Sequence, residues 1–423
     1  MKVVIVGGGW AGCAAALSAR KQGAAVTLVE RTDMLLGCGL VGGIMRNNGR
    51  FTAAEEMLAM GGGDLFEVTD ENSLHRNMDF PEHRHASLYA ATLIEPAVKK
   101  LLSERGVDVV LGTRIEAVEK ESGRIEAVAG KDGEAKVRFP GDVFIDASGT
   151  AGPPGQCAKY GNGCAMCVLR CHSFGGRVSL TAKCDIRELV GRKGNQIGAM
   201  SGSCELAMES LSAEIAETLE KKGVAVVPVP VSLQSEGKLA IKACQQYALP
   251  AYSRNIVLLH TGHAKLMAPF FPLDSLRKVP GFERARFEDP YAGGVGNSIR
   301  FVGMAPRDNA LKVRGMENLF CGGEKAGLLV GHTEAIVTGT LAGYNAARHG
   351  AGKKPLVLPD TLAVGDAIGH VGASMETEEG LGYKYTFSGS VYFERMVQKG
   401  LYTTDIGKIR KRVDEAGLSG IFA

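Results

Sequence analysis

The stretch that decides the fold is Lys2 to Glu30, KVVIVGGGWAGCAAALSARKQGAAVTLVE. It opens on a short run of β-formers, Lys2 to Val6. Gly7, Gly9 and Gly12 follow in GxGxxG spacing, and the alanine-rich segment Cys13 to Gln22 reads as a helix. Strand, tight turn and helix in that order are the phosphate-binding opening of a Rossmann-like unit. Gly7 permits the turn, Gly9 lets a pyrophosphate lie against backbone at the helix N-terminus, and Gly12 lets the helix pack on the strand. A second strand, Ala25 to Val29, ends in Glu30, where a carboxylate can accept both hydroxyls of an adenosine ribose. Spacing, strands, helix and acid together predict a dinucleotide site.

The next residues favour FAD over NAD. After Glu30 come Arg31 and then Gly37, Cys38, Gly39, Gly42 and Gly43, a second glycine-rich segment too close to the first to be another βαβ unit. Backbone of that kind suits the remainder of a long cofactor. Far along the chain, Asn318 to Cys321 reads as a strand, followed by Gly322, Gly323 and Glu324. Thr333 to Arg348 reads as a helix with Ala335, Gly339 and Gly343 at every fourth position. Small residues so spaced allow close approach to a sheet or a cofactor. A helix N-terminus facing a flavin pyrimidine ring would stabilise the anionic reduced form.

On Val3 to Gly12 with Glu30, on Asp142 to Gly149 (DVFIDASG) and on Gly322 to Arg348, the chain resembles the two-dinucleotide-fold flavoproteins related to glutathione reductase. Leu276 to Gly281 (LRKVPG), the run from Gly315 through Asn345 and Pro355 to Pro359 are similar to GidA-like tRNA-modifying flavoproteins, nearest in size and ending to the folate- and FAD-dependent tRNA uridine methyltransferases. The resemblance covers the first 45 residues and Leu276 to about Val371. It implies that Gly7, Gly9, Gly12 and Glu30 hold the adenosine diphosphate half of FAD. It also implies that Gly323, Glu324 and Gly331 to Thr333 lie near the ribityl chain and the flavin ring.

Length and composition suit that picture. In 423 residues, 45% are hydrophobic and 22% charged, and 49 basic residues against 46 acidic ones leave a net charge of +3. Such a balance marks a globular chain with no broad footprint for a polyanion. The 57 glycines exceed the usual share of about 7%. No run of 18 apolar residues suggests a membrane span, and a strand follows Met1 directly, so a soluble, cytoplasmic protein is expected. The expected class is α/β. A discontinuous Rossmann-like FAD-binding domain, residues 1–150 and 300–375, carries an inserted α+β substrate domain, 151–299, and a helical, aromatic tail, 376–423.

Within the first part, helical periodicity in Ser87 to Arg105 precedes a β-meander of Val107 to Leu111, Arg114 to Lys120 and Arg124 to Val128. In the inserted part a helix is expected over Ser203 to Lys222, with strands over Val224 to Leu233 and Asn255 to Thr261. In the tail, Tyr383, Tyr385, Phe387, Tyr392 and Phe393 accompany Lys408, Arg410, Lys411 and Arg412. That combination reads as a helical cap with one solvated face rather than as a nucleic-acid surface. Gly293, Gly294 and Gly296 follow no strand, so no separate NAD(P)H-binding domain is expected. Reduction of the flavin then falls to external NAD(P)H docking transiently, to a small-molecule substrate, or to a redox partner protein.

Ten cysteines in a long chain without an export signal suggest thiols, metal ligation or redox chemistry. Cys157, Cys164, Cys167 and Cys171 fall within 15 residues, a compactness that suits one iron-sulfur cluster, such as 4Fe-4S. A redox dithiol at Cys164 and Cys167, a structural zinc and plain packing are the alternatives. This run departs from the methyltransferase pattern. Cys38 is a candidate nucleophile in the loop expected beside the isoalloxazine, with a small residue tolerated between glycines as the other reading. Cys13, Cys184, Cys204, Cys244 and Cys321 read as packing. His332, just before the C-terminal helix, is a candidate to donate to reduced flavin or to orient substrate. His83 and His85 read as surface, with substrate binding as the other reading, and His260 and His263 as a candidate substrate-side pair.

Three functions fit: an FAD-dependent oxidoreductase coupled to a cluster, a tRNA uridine-modifying enzyme, and a non-catalytic electron-transfer subunit or redox sensor. The near-neutral charge weighs against tRNA as a partner, whereas the C-terminal resemblance weighs for it. No membrane partner is expected, and oligomerisation is open.

Overall fold

The computed structural model describes residues 1–149, 174–193, 196–197, 204–234, 237, 239, 245–267, 271–288 and 302–423. Its frame is a five-stranded parallel sheet. β1 (Lys2–Val6) is central, flanked by β2 (Ala25–Val29) and β10 (Val143–Asp146), with β6 (Asp108–Val110) and β15 (Leu319–Cys321) at the edges in the order β15-β10-β1-β2-β6. Val3 pairs with both Val26 and Val143, so the central strand is bonded on both edges. The strands are near-continuous Val, Ile and Leu runs because helices cover the sheet. One of its five strands comes from more than 170 residues further along the chain than its neighbour, a Rossmann-like sheet assembled from both ends of the sequence.

α1 (Trp10–Lys21) and α6 (His332–Gly350) pack against each other at unusually short range. A Cβ on Gly339 would stand 2.2 Å from the Ala11 carbonyl oxygen, and one on Gly343 2.1 Å from that of Ala15. Gly339 and Gly343 of the α6 stripe therefore serve helix against helix, while Ala335 lines the large cavity at the carboxyl end of the sheet. Alanines on α1 meet glycines on α6, and no larger pair fits.

Antiparallel strands β7 (Thr113–Glu121), β8 (Arg124–Asp132) and β9 (Ala135–Pro140) form the meander. The expected first strand of that meander is instead β6, which bonds β2 at the parallel edge. Helical periodicity over Ser87 to Arg105 resolves into the end of β5 (His83–Tyr89) and α4 (Ile94–Glu104). Ladder bonds from Ile44 and Met45 hold Ser87 and Leu88 extended.

A second layer is an antiparallel sheet of β11 (Cys204–Leu206), β14 (Ala264–Leu266), β13 (Asn255–His260) and β12 (Val224–Pro228), in that order. Period-two alternation divides β13 between two cores. Ile256 and Leu258 join Ile215 and Leu219 of α5 (Ala213–Lys222), while Val257 and Leu259 face Phe80, Ala86 and Leu88 of the β4 (Ser73–Phe80) and β5 hairpin. The single helix expected over Ser203 to Lys222 is thus a strand followed by a helix. Ser212 Oγ accepts from the Ile215 amide and caps the helix, which therefore starts at Ala213. β12 stops at Pro228 rather than Leu233, since Pro228 and Pro230 cannot donate to a ladder.

The C-terminal part adds α7 (Ala363–Ser374), α8 (Ser390–Gln398) and α9 (Ile406–Glu415). Tyr385, Phe387 and Tyr392 are buried there in the main core, which removes them from any stacking surface. No helix among the described residues is long and apolar enough to cross a membrane.

Candidate functional site

An open cavity lies where the carboxyl ends of β1 and β2 meet the second sheet, the position in which open α/β sheets bind nucleotides. It encloses about 1930 Å³ of non-protein space, its mouth included. Gly7, Gly9, Glu30, Arg31, Cys38, Gly42, Gly149, Gly323, Glu324, Gly331 and His332 all line it. Gly12, Gly43 and Thr333 do not.

The three glycines of the first turn differ in purpose. Gly7 has φ +108°, and a Cβ there would be 2.3 Å from the Ala147 carbonyl. Gly12 admits the turn itself, because a Cβ would sit 1.8 Å from Gly7 O. Gly9 is extended at φ −69° and ψ −179°, a conformation any residue adopts, and its missing Cβ would meet nothing nearer than Leu36 O at 4.0 Å. Space at Gly9 is left to the cavity, which fits a pyrophosphate on the N-terminus of α1. Gly43, at φ +81°, makes room for Thr261, and Thr333 is buried with Oγ1 3.6 Å from Met45 Sδ.

Glu30 presents its carboxylate at the rim of the first turn. One oxygen accepts from Gly8 N at 2.8 Å and the other from Thr32 N at 2.9 Å, so the acid is held where a ribose would reach it. Arg31 donates to the Gly175 carbonyl at 2.8 Å.

The opposite end of the cavity is more polar than the sequence revealed. Arg50, Arg177, Gln246, Tyr247 and Lys265 share its wall with Cys38 and His332. Arg50 lies shortly after the Gly42 and Gly43 turn and the others far along the chain, and nothing local distinguishes them. Arg177 Nη2 lies 3.6 Å from Cys38 Sγ. Burial pushes the Cys38 thiol above its ordinary range while Arg177 pulls the other way, so the resting group is the thiol.

His332 opens α6, and its ring occupies space vacated by Gly42, where a Cβ would be 1.6 Å from Cε1. Nδ1 is 3.2 Å from the Tyr89 hydroxyl, which itself donates to Gly39 O at 2.8 Å. Burial, reinforced by the Arg50 and Lys265 charges, pushes the imidazole pKa down to about 3. A depressed histidine adds stability that is complete above its unfolded value near 6.5 and is lost as pH falls toward 3. Ring resonances of His332 in selectively labelled protein should therefore keep the neutral pattern from pH 8 to 4.5, and H332Q should lose less stability than wild type over that span. A midpoint near pH 6 for this ring would refute the assignment.

The remaining histidines separate. His83 is buried rather than on the surface: Nε2 faces Gln246 O at 3.0 Å and Nδ1 faces Asn47 Nδ2 at 3.0 Å. Charged neighbours in sequence hide its inward register on β5. His85 is half-exposed against Asn77 Oδ1. His260 pairs with His75 at 2.9 Å and His263 faces Glu288 at 3.5 Å, and neither lines the cavity. Cys13, Cys184, Cys204 and Cys321 are buried packing residues. Cys157, Cys164, Cys167, Cys171 and Cys244 lie outside the described residues. Among the described residues no group of three or more His, Cys, Asp or Glu is arranged to hold a metal.

Known proteins agree with this geometry. Residues 2–152 match the family described as FAD dependent oxidoreductase, and residues 268–354 the family described as Glucose inhibited division protein A. A methylenetetrahydrofolate–tRNA-(uracil-5-)-methyltransferase, TrmFO of Synechococcus elongatus, is 40% identical over 89 residues, 21% of this chain and 18% of that protein. The match thus spans under a fifth of that relative's length. Among solved structures, Aquifex aeolicus GidA in its form II crystal superposes with a TM-score of 0.60 at 14% identity, covering 99% of this chain and 72% of that one. Its form I crystal gives 0.60 at 16% identity over 98% and 78%. At such identities the likeness is one of fold. The nucleotide cavity, the two matched segments and the shared fold together make the chain similar to FAD-dependent oxidoreductases over its N-terminal third and to GidA proteins over residues 268–354.

Proposed function

We propose that the chain is an FAD-dependent oxidoreductase whose substrate enters the polar end of the cavity. The observation that carries this reading is the continuity of one cavity from the Gly9 and Glu30 turn to the wall of Cys38, Arg50, Lys265 and His332. Gly7, Gly9 and Glu30 would hold the adenosine and pyrophosphate half of FAD, and Gly323, Glu324 and Gly331 the remainder. When bound, FAD supplies the acceptance or donation of a hydride. The chain's own side chains do the rest. Arg50 and Lys265 place positive charge where an anionic substrate group docks, neutral His332 offers a hydrogen bond without a charge, and Cys38 presents a thiol.

In the finer form of this reading, Cys157, Cys164, Cys167 and Cys171 hold an iron-sulfur cluster that passes single electrons to an external carrier; it rests on their spacing. A second reading, folate- and FAD-dependent modification of a tRNA uridine with Cys38 as nucleophile, draws on the 40% identical segment shared with TrmFO.

Anaerobic purification tests all three. Flavin bands with about one FAD per chain are expected on the first reading, and a colourless protein that takes up no added FAD would end it. Stoichiometric iron and acid-labile sulfide, lost when Cys164 and Cys167 become serine, support the cluster; flavin without iron removes it. Incorporation of a methylenetetrahydrofolate-derived carbon into tRNA would transfer the conclusion to the second reading.

A further inference from the structure

Gln246 is held on the cavity wall by contacts that leave one end of its side chain unused. It is 7% exposed and lines the cavity beside Tyr247. Its carbonyl accepts from His83 Nε2 at 3.0 Å, while the other ring nitrogen of His83 accepts from Asn47 Nδ2 at 3.0 Å. A carbonyl on one side and an amide NH2 on the other fix that ring as one neutral tautomer, and the backbone at Gln246 with it. Gly389 leaves room for the side chain, since a Cβ there would stand 2.7 Å from Gln246 Cβ.

The protons of this cluster decide which way the amide is turned. Thr386 Oγ1 gives its proton to the Glu334 carboxylate at 2.7 Å, and accepts from Arg50 Nη2 at 3.2 Å and from Ser388 N at 3.1 Å. Its one donor and both its lone pairs are then in use. A Gln246 nitrogen turned toward Thr386 would meet no free lone pair. The Gln246 atom 3.2 Å from Thr386 Oγ1 is therefore Oε1, and it takes the proton of the Ser388 hydroxyl. Nε2 makes no hydrogen bond among the described residues, and the cavity is the space left to it.

Lys265 reaches the same wall. It pairs with Leu259 across the β13 and β14 ladder, and cross-strand partners share a face. On that face Leu259 belongs to one apolar cluster with Tyr247, Met267 and Ile44, and these three line the cavity. The Arg50 guanidinium is engaged by Glu334, Asn47 and Thr386, so its contribution to a ligand is charge. An amide donor and an ammonium beside an apolar, aromatic wall match the two oxygens and the body of a flat carboxylate. A phosphate would ask for donors to three oxygens.

We propose that Gln246 is a specificity-determining residue whose Nε2 donates to a carboxylate oxygen of a flat, apolar acid, with Ser388 as the residue that positions it. The proposal rests on the reading that the cavity holds a flavin beside a substrate, and deepens it by naming the substrate class.

The test measures binding rather than turnover. Flavin-loaded protein is dialysed to equilibrium in sealed cells against radiolabelled benzoate, and separately against radiolabelled toluene, which keeps the ring and lacks both oxygens. Wild type should bind benzoate more tightly than toluene. Q246L, similar in volume, should weaken benzoate by about tenfold or more and leave toluene within about twofold, at unchanged flavin content. A glutamine that only packs would weaken both probes alike, and that result would overturn the proposal. So would benzoate binding that is unchanged in Q246L or absent from wild type. Loss of flavin from Q246L would overturn it too, by giving Gln246 to the cofactor. Should Q246L fail to fold, S388A decides, because it keeps the glutamine and removes the proton that holds its oxygen. Benzoate should then weaken severalfold while toluene does not, and equal benzoate binding would overturn the assignment. Protein that binds no flavin would overturn the functional reading and this one with it.

Discussion

Gly9→Val is expected to strip the flavin from a protein that still folds. The backbone at Gly9 is extended, and the protein offers a Cβ no neighbour within van der Waals contact. Valine therefore causes no clash in the empty chain, and its methyl groups fall in the cavity. The same change at Gly7 or Gly12 would drive a side chain into backbone and fail for a different reason. Forcing two methyls against a bound pyrophosphate costs about 3 kcal/mol, roughly a 100-fold loss of affinity. Trp10, the sole tryptophan, follows Gly9 directly and lines the same cavity, so its fluorescence reports occupancy without further labelling. Titrating FAD into apoprotein should quench wild type and leave G9V bright at the same concentrations, with matching circular dichroism and melting. Equal quenching in both would show that the cofactor does not cross this turn.

How much of this was readable follows from the distance over which each feature is built. The first turn was readable because strand, glycines, helix and acid lie within 30 consecutive residues, and each constrains the next locally. Cys38 and His332 were picked out by position, one in the loop expected beside the isoalloxazine and the other just before the helix expected to start near the flavin. Arg50 and Lys265 were not. Arg50 is fixed by Glu334, 284 positions away, and Lys265 by a cross-strand partner on β11. In a single sequence both look like ordinary surface charges. His83 was misread for a related reason: Glu82 and Arg84 give its segment a solvated look, while its partners Asn47 and Gln246, which hold the ring inward, lie far off in sequence. The helix over Ser203 to Lys222 is a different failure. Its apolar spacing suits a helix throughout, yet Ser212 followed by Glu214 was an available N-cap signal that would have set the start.

The largest stability effect should come from Glu334→Gln. Glu334 is fully buried in the first turn of α6, where the helix dipole favours a carboxylate. Its oxygens accept from Arg50 Nε at 3.0 and 3.1 Å, from Thr386 Oγ1 at 2.7 Å and from Phe387 N at 2.9 Å. One acid thus joins α6, α2 (Gly49–Ala59), which carries Arg50, and the segment leading to α8. Glutamine keeps the volume, but it offers one acceptor oxygen in place of two and turns an amide donor toward a buried guanidinium. Leaving one charge of a buried pair unmatched costs about 3 to 5 kcal/mol, and melting should fall by about 3 to 6 °C in a chain of this length. Replacing both partners, R50M with E334M, removes the unmatched charge and should recover much of that loss, since buried pairs barely outperform apolar packing of similar size. A single variant melting within a degree of wild type, or a double variant no more stable than the single, would show that the pair does not bind these elements together. Because Arg50 also lines the cavity, the double variant separates two roles that the single confounds. If its fold and flavin are restored while binding of an anionic substrate is not, the cation belongs to the site and the carboxylate to the scaffold that holds it there.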